Sequence, residues 1–447
     1  MNSVAVLGAG WSGLAAAVEL TAAGFKVDVF EAARQPGGRA RRVDLDGHAL
    51  DNGQHILLGA YRETLRLIAA TGADPERLLR RRPLELLIPG QLLLRAPRRL
   101  PAPLHLLTAL MTARGIGFAG KRAALRLMAS LAWRRYRADP GQSVAALLRD
   151  HRQPTDVSRL VWEPLCVAAL NTAPESASAQ VFVNVLRDAF AHARRDSDLL
   201  LPAGHLGALF PDPACAHLRS AGANLHFGCP AGAVRAIDGQ VRVVSRLGET
   251  THSAVVCALP PARTADVLPR DDARLGPLRE ALAAIRYEPI VTCYLQYPPA
   301  ARLPAPMLGL VGGVGQWAFD KGVLGGPAGM IAVVVSAAGR LRGLPPEKLA
   351  ATLDAELRAA LPGLQPLQRH RVISDKRATF RCSPALARPQ TATPLPGVFL
   401  AGDHVDNGYP ATLEGAVRNG VSAAQAVARW TRRPAANADR DARLPTG

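Results

Sequence analysis

Val4-Ala5-Val6-Leu7-Gly8-Ala9-Gly10-Trp11-Ser12-Gly13 decides the fold of this chain. Its first four residues form an unbroken apolar run, as in a strand covered on both faces of a parallel sheet. Gly8-x-Gly10-x-x-Gly13 follows. In that spacing Gly8 allows a tight turn, Gly10 lets the backbone approach a pyrophosphate, and Gly13 lets helix and strand pack closely. A helix is predicted from Leu14 to Ala23, closed by Gly24, with its positive N-terminal end toward the phosphates. Lys26-Val27-Asp28-Val29-Phe30 reads as a second strand. Glu31 ends it, 18 residues after Gly13, where an acid accepts hydrogen bonds from an adenosine ribose. A glycine-rich turn beside a solvated glutamate would need no such register. The stretch Val4 to Ala23 is apolar enough to pass for a signal peptide or a membrane span. No basic residue precedes it, however, and Ser12 and Glu19 interrupt it, so strand, turn and helix is the better reading.

The residues after Glu31 bear on which dinucleotide is bound. Gln35-Pro36-Gly37-Gly38-Arg39 brings a glycine pair close to the cofactor, and Arg39 offers a fork of donors to a phosphate. Asp51-Asn52-Gly53-Gln54-His55 supplies a polar turn. Near the far end, Val398-Phe399-Leu400-Ala401 reads as a buried strand leading to Gly402 and Asp403. Pro410-Ala411-Thr412-Leu413-Glu414-Gly415-Ala416 then opens a helix that runs to Trp430, with its first N–H groups free to face a flavin carbonyl.

In combination these motifs resemble the FAD-dependent amine oxidase and phytoene desaturase superfamily over nearly the whole chain. The resemblance implies an α/β fold, with a Rossmann-like FAD-binding domain interleaved with an α+β substrate domain. It implies that Gly8, Gly10, Gly13, Glu31, Gly38 and Arg39 hold the ADP half of FAD. It places Gly402 and Asp403 near the pyrophosphate and ribityl chain, Leu413 with its amide on the flavin ring, and Val234 of a Val-x-x-Ile strand turn with its backbone on adenine. A narrower likeness, to the bacterial hydroxysqualene dehydroxylases, rests on Asp51 to Tyr61 (DNGQHILLGAY), Trp162-Glu163-Pro164-Leu165-Cys166, Leu170-Asn171-Thr172, Leu201 to Leu206 and Gly408 to Ala416. One departure matters. Amine oxidases carry a cage tyrosine two residues before the glutamate of the Glu-Gly-Ala motif, and here Thr412 stands there, which disfavours an amine substrate.

The narrower likeness implies removal of the hydroxyl of hydroxysqualene, with hydride from reduced FAD quenching an allylic cation to give squalene. Such chemistry needs an acid, a dry channel and a fixed distance to the flavin. His55, Asp406 and Glu163 are the candidate acids. His55 has a plainer reading as an orienting donor, and Asp406 as an N-terminal cap or loop ligand; Glu163, in the Trp-Glu-Pro-Leu segment, is the third candidate. A carotenoid-type desaturase, running hydride the other way, is the alternative enzyme, and a prenyl-binding escort protein is the alternative without redox chemistry. Gly312-Gly313-Val314-Gly315 lacks the third glycine of a dinucleotide fingerprint and its downstream acid. The electron donor is therefore either NAD(P)H at a transient site or a protein.

Three segments (1–60, 200–270 and 390–433) are expected to build the FAD domain. Segments 61–199 and 271–389 are expected to build the substrate domain, with Leu and Arg alternating in helical blocks over the first, and a disordered tail over 434–447. The net charge is +18, from 49 arginines and five lysines against 36 acids. No zinc-finger spacing or aromatic-basic RNA motif accompanies that charge, so an anionic membrane surface fits it better than nucleic acid. The six cysteines show no CxxC or His-paired spacing, so reduced thiols and no metal site are expected. An isoprenoid substrate calls for a cytoplasmic protein peripheral to the inner face of the membrane. Lys121 to Arg137 is the expected docking helix, with Leu125, Met128, Leu131, Ala132 and Trp133 toward lipid, beside the Pro-rich stretch 97–107.

Overall fold

The computed structural model describes residues 2–341 and 343–432, so the tail expected over 434–447 lies outside it. Five strands form one wholly parallel sheet, in the order Asn224–Phe227, Lys26–Glu31, Ser3–Leu7, Ala254–Cys257, Val398–Leu400. Three stretches of chain far apart in sequence thus supply one sheet. Strand geometry explains the unbroken apolar run at its centre. Val4 and Val6 face a cluster with Leu14, Leu20 and Val417, contributed by the helices Trp11–Ala22 and Leu413–Thr431. Ala5 and Leu7 face the opposite cluster, with Val234, Val241 and Val243. Those three valines come from a small antiparallel sheet of Ala231–Ile237, Gln240–Ser245 and Gly248–His252. The two helices cross almost backbone to backbone, and a Cβ on Gly420 would stand 2.8 Å from that of Ala15.

A second, antiparallel sheet orders Met307–Gly309, Trp317–Asp320, Met330–Val335, Tyr287–Gln296 and Arg369–Phe380. Its long strand Tyr287–Gln296 separates two environments by simple alternation. Val291, Cys293 and Leu295 pack toward the helix Pro346–Ala360, while Ile290 and Tyr294 join the core of the helical region. The glycine-rich stretch at 312–315 is consumed internally: the Val314 and Gly315 amides donate to the Glu356 carboxylate at 2.7 and 2.9 Å.

The segment after residue 61 is not helical throughout. Leu79–Arg82 pairs with Leu199–Pro202, which pairs in turn with Leu57–Leu58. Glu85–Ile88 and Leu92–Arg95 form a hairpin. Pro89-Gly90 turns the chain there, and alternate leucines face the core, so period two wins over helical period in this stretch. Helices follow at Leu104–Thr112, Phe118–Trp133, Glu163–Leu170 and Ala179–Phe190. The expected lipid-facing stripe on Phe118–Trp133 is corrected. Gly120, Ala123, Ala124, Leu127 and Leu131 line its buried face, so Leu131 belongs to the core, and Leu125 and Met128 are half-buried. Ala132 and Trp133 are exposed. No helix among the described residues is long and apolar enough to cross a membrane.

Candidate active site

The carboxyl ends of the parallel strands carry the site. After Leu7 the chain turns at Gly8, and a Cβ on Gly13 would run into the Gly8 carbonyl, so turn and helix start are pressed together. Glu31 closes this loop from below. Its Oε2 accepts the Ala9 amide at 2.6 Å and its Oε1 the Ala33 amide at 2.7 Å. A carboxylate has about four acceptor positions, so about two remain for ribose hydroxyls. Gly10 forms a parallel bridge with Gly37, and Gly38 passes so near that its Cβ would sit 3.2 Å from the Gly10 Cα. The Gly37-Gly38-Arg39 stretch is therefore folded against the phosphate loop.

Arg39 links the two ends of the chain. Its Nη2 lies 2.6 Å from Asp403 Oδ1, and its Nη1 donates to the Ala378 carbonyl at 2.8 Å. Burial alone would push the Asp403 carboxyl up, but the Arg39 guanidinium and His404 outweigh it and hold that carboxyl well below the usual range. Asn419 Nδ2 donates to the carbonyls of Gly402 at 2.6 Å and Val405 at 2.8 Å, which fixes the turn carrying Asp403. Thr412 caps the following helix by accepting the Gly415 amide at 3.0 Å. The Leu413 amide has no acceptor among the described residues. Val234 sits in an edge strand opposite Val243, with its side chain buried and one side of the strand's backbone unpaired.

Glu414 does something the sequence did not announce. Fully buried, it accepts from the Thr64 amide at 2.9 Å and the Thr64 hydroxyl at 2.7 Å, and it pairs with Arg418 at 2.8 Å. It thus caps the helix Arg62–Ala70 from another part of the chain.

The three candidate acids separate. His55 Nδ1 is 2.7 Å from the Gly53 carbonyl, so Nδ1 carries the proton and Nε2 is left for another partner. Burial is the main influence on His55 and lowers its pKa, against the Gly53 hydrogen bond and Asp375, which raise it. Asp406 Oδ1 lies 2.6 Å from Arg388 Nη2 and accepts the Gly408 amide at 3.2 Å. The Asp406 carboxylate is thus tied into its own turn. Glu163 is exposed at the start of the helix Glu163–Leu170.

Beneath the Asp51-to-His55 turn lies a buried polar cluster. Asp51 Oδ1 accepts the Leu206 amide at 2.7 Å, Tyr294 donates its hydroxyl to the Asp51 carbonyl at 2.9 Å, and Lys321 Nζ donates to Gln54 Oε1 at 3.0 Å. Burial drives both charges toward neutrality. It pushes the Asp51 carboxyl up to about 6 and the Lys321 ammonium down, each partly opposed by the other. Lys321 follows an ordinary buried strand, and no motif marks it.

With this geometry in place, comparison with known proteins is decisive on class. Residues 11–428 match the model of the flavin-containing amine oxidoreductases. The chain belongs to that family and is an FAD-dependent oxidoreductase. Within it, the hydroxysqualene dehydroxylase of Rhodopseudomonas palustris is 31% identical over 95% of this chain and 98% of its own length. That of Zymomonas mobilis is 27% identical over 95% and 98%. Among solved structures, an oxidoreductase from Methanosarcina mazei superposes with a TM-score of 0.73 at 16% identity, covering 95% of this chain and all of its own. FAD fits the residues present. Arg39 keeps 42% of its side chain open although its partner Asp403 is buried, and the Leu413 amide waits unpaired at a helix start. No cluster of three or more His, Cys, Asp or Glu suited to a metal occurs among the described residues.

Proposed function

We propose that this enzyme removes the hydroxyl of hydroxysqualene reductively to give squalene, in the route to hopanoids. The observation that carries this reading is the end-to-end likeness to the Rhodopseudomonas dehydroxylase. Bound FAD, once reduced, supplies the hydride. Gly8, Gly10, Gly13, Glu31, Gly38 and Arg39 hold its ADP half, Val234 the adenine, Gly402 and Asp403 the pyrophosphate and ribityl region, and Leu413 the ring. The three segments 1–60, 200–270 and 390–433 form the cofactor domain and the two between them the substrate domain.

Of the candidate acids His55 is the one retained. With Nδ1 tied to Gly53, its Nε2 is the atom that meets the substrate hydroxyl. As a cation it protonates that hydroxyl, water leaves, and the charge spreads over the allylic carbons. Burial favours the neutral ring and lowers the His55 pKa, so the acid form gains population at lower pH than in an ordinary imidazole. The dehydroxylation rate, measured at fixed flavin reduction, should therefore rise as pH falls below about 6.5. His55→Gln should flatten that profile while keeping its flavin; a steep profile in the variant would remove His55 from the role.

Electrons come from NAD(P)H or a protein donor, and the enzyme works at the inner membrane face, where its substrate is dissolved. Photoreduced holoenzyme, mixed anaerobically with hydroxysqualene, should yield squalene as the flavin reoxidises. If the alcohol is untouched and oxidised holoenzyme instead desaturates a polyene, carotenoid-type chemistry replaces this reading.

A further inference from the structure

Six large apolar side chains stand out in the solvent among the described residues, and five of them fall between residues 104 and 133. Leu104, Leu107 and Met111 lie at i, i+3 and i+7 of the helix Leu104–Thr112, opposite the buried His105 and Ala109. Phe118 is 70% exposed and Trp133 86% exposed, at the two ends of the next helix. Lys121 Nζ donates to the Met111 carbonyl at 2.8 Å, which fastens the start of the second helix to the end of the first. Phe118, one turn before Lys121, thereby lies near the Met111 end of the ridge.

The ridge is flanked by positive charge. From Leu86 to Ala138 the chain has ten lysines and arginines and no acid, so this stretch carries +10 of the net +18. Beside the shorter helix is a cavity of about 380 Å³ lined by Arg95, Thr108, Thr112 and Arg114. A second, of about 300 Å³ and lined by Arg82, Glu85 and Arg98, shares Arg95 with it. Arg95 is held by Glu85 at 2.9 Å. Arg98, Arg99, Arg114, Arg122 and Arg126 make no ion pair among the described residues. On the inner side, Leu106, Leu110 and Met128 pack on the same apolar cluster as Ile56 and Ala411, neighbours of the flavin-site turns.

We propose that this face docks on anionic phospholipid, with Leu104, Leu107, Met111 and Phe118 entering the headgroup region and the Arg98–Arg114 cavities seating a lipid phosphate. Charge chooses the partner. A neutral bilayer leaves the unpaired Arg98, Arg99, Arg114, Arg122 and Arg126 unanswered, and nucleic acid leaves the apolar ridge wet. Trp133 suits the interface at the far end. The proposal deepens the membrane contact in the proposed function. Its test uses holoenzyme without substrate, so it stands or falls apart from the chemistry.

Flotation with phosphatidylcholine vesicles, with and without phosphatidylglycerol, reads it directly. Holoenzyme should float with the anionic vesicles at low salt, be released by salt, and leave pure phosphatidylcholine largely bare. Arg98→Gln and Arg114→Gln should each weaken binding by about fivefold. Leu107→Ser with Met111→Ser and Phe118→Ser should abolish it, with flavin absorbance unchanged because all three side chains are exposed. Holoenzyme that fails to float at low salt overturns the proposal, and so does a triple variant that floats like the parent. Displacement by millimolar inorganic phosphate at constant ionic strength also overturns it, because the cavities are then an anion site and the ridge contributes nothing.

Discussion

The turn after Ser3–Leu7 and the start of the helix Phe118–Trp133 meet the same small change in opposite ways. At Gly13 an added Cβ strikes the Gly8 carbonyl, whereas at Gly117 it finds nothing within 4 Å. The first region is built backbone against backbone, because a phosphate must be reached by amides that no side chain can shield. The second is built of side chains around a core face, and what it does depends on the residues left in water. Function in the first region thus constrains residue type at fixed positions. In the second it constrains only the balance of apolar and basic surface.

The largest expected effect follows directly. Gly13→Ala should destabilise the protein by about 3 kcal/mol or more, since the added Cβ meets the Gly8 backbone, which cannot swing aside as a flexible side chain can. Flavin absorbance per protein and Tm should both fall. Gly117→Ala should leave both nearly unchanged. Equal tolerance at the two positions would break the contrast.

The same contrast accounts for what could be read from the sequence. Gly8 and Gly13 were legible because close backbone approach admits few residue types, and Glu31 because the end of the second strand sets its spacing from the glycine turn whose amide it accepts. Leu131 was misplaced because leucine and arginine recur so often in 118–137 that two helix faces look equally amphipathic, and only the tertiary core decides between them. The Leu79-to-Arg95 strands were missed because short leucine runs carry no period that separates strand from helix. Glu414, Arg388 and Lys321 were invisible as partners. Each acts on a residue far away in sequence, or from a turn with no motif, so its role exists only once the chain has folded.

Within the backbone-built region, Glu31→Gln should be the next strongest change. The carboxylate accepts the Ala9 and Ala33 amides at once, and an amide side chain must present its NH₂ group to one of them. A hydrogen bond to a charged acceptor contributes roughly 1.5–3 kcal/mol, so FAD should bind about ten- to hundredfold more weakly. Flavin release followed by fluorescence measures this. Unchanged affinity would mean that Glu31 only ties the loop.

The smallest effect lies outside both regions, at Asp51, which packs against Leu206, Tyr294 and Lys321. Its carboxyl is fully buried and its pKa is pushed up to about 6, chiefly by burial. A raised folded-state value means that the fold favours the protonated acid. That contribution is fully present below the unfolded value near 3.8 and is lost as pH rises through about 6. Asp51→Asn keeps an oxygen for the Leu206 amide and removes the charge that the site disfavours. Below pH 4 the two proteins should therefore differ little in Tm. Between pH 4 and 7 the parent should lose ground, and above pH 7 the variant should be ahead by a few degrees. Lys321, drawn to Asp51 in the parent, becomes more readily neutral in the variant, which trims the gap without reversing its sign. A parent that gains on the variant as pH rises would show that Asp51 and Lys321 act as a stabilising ion pair.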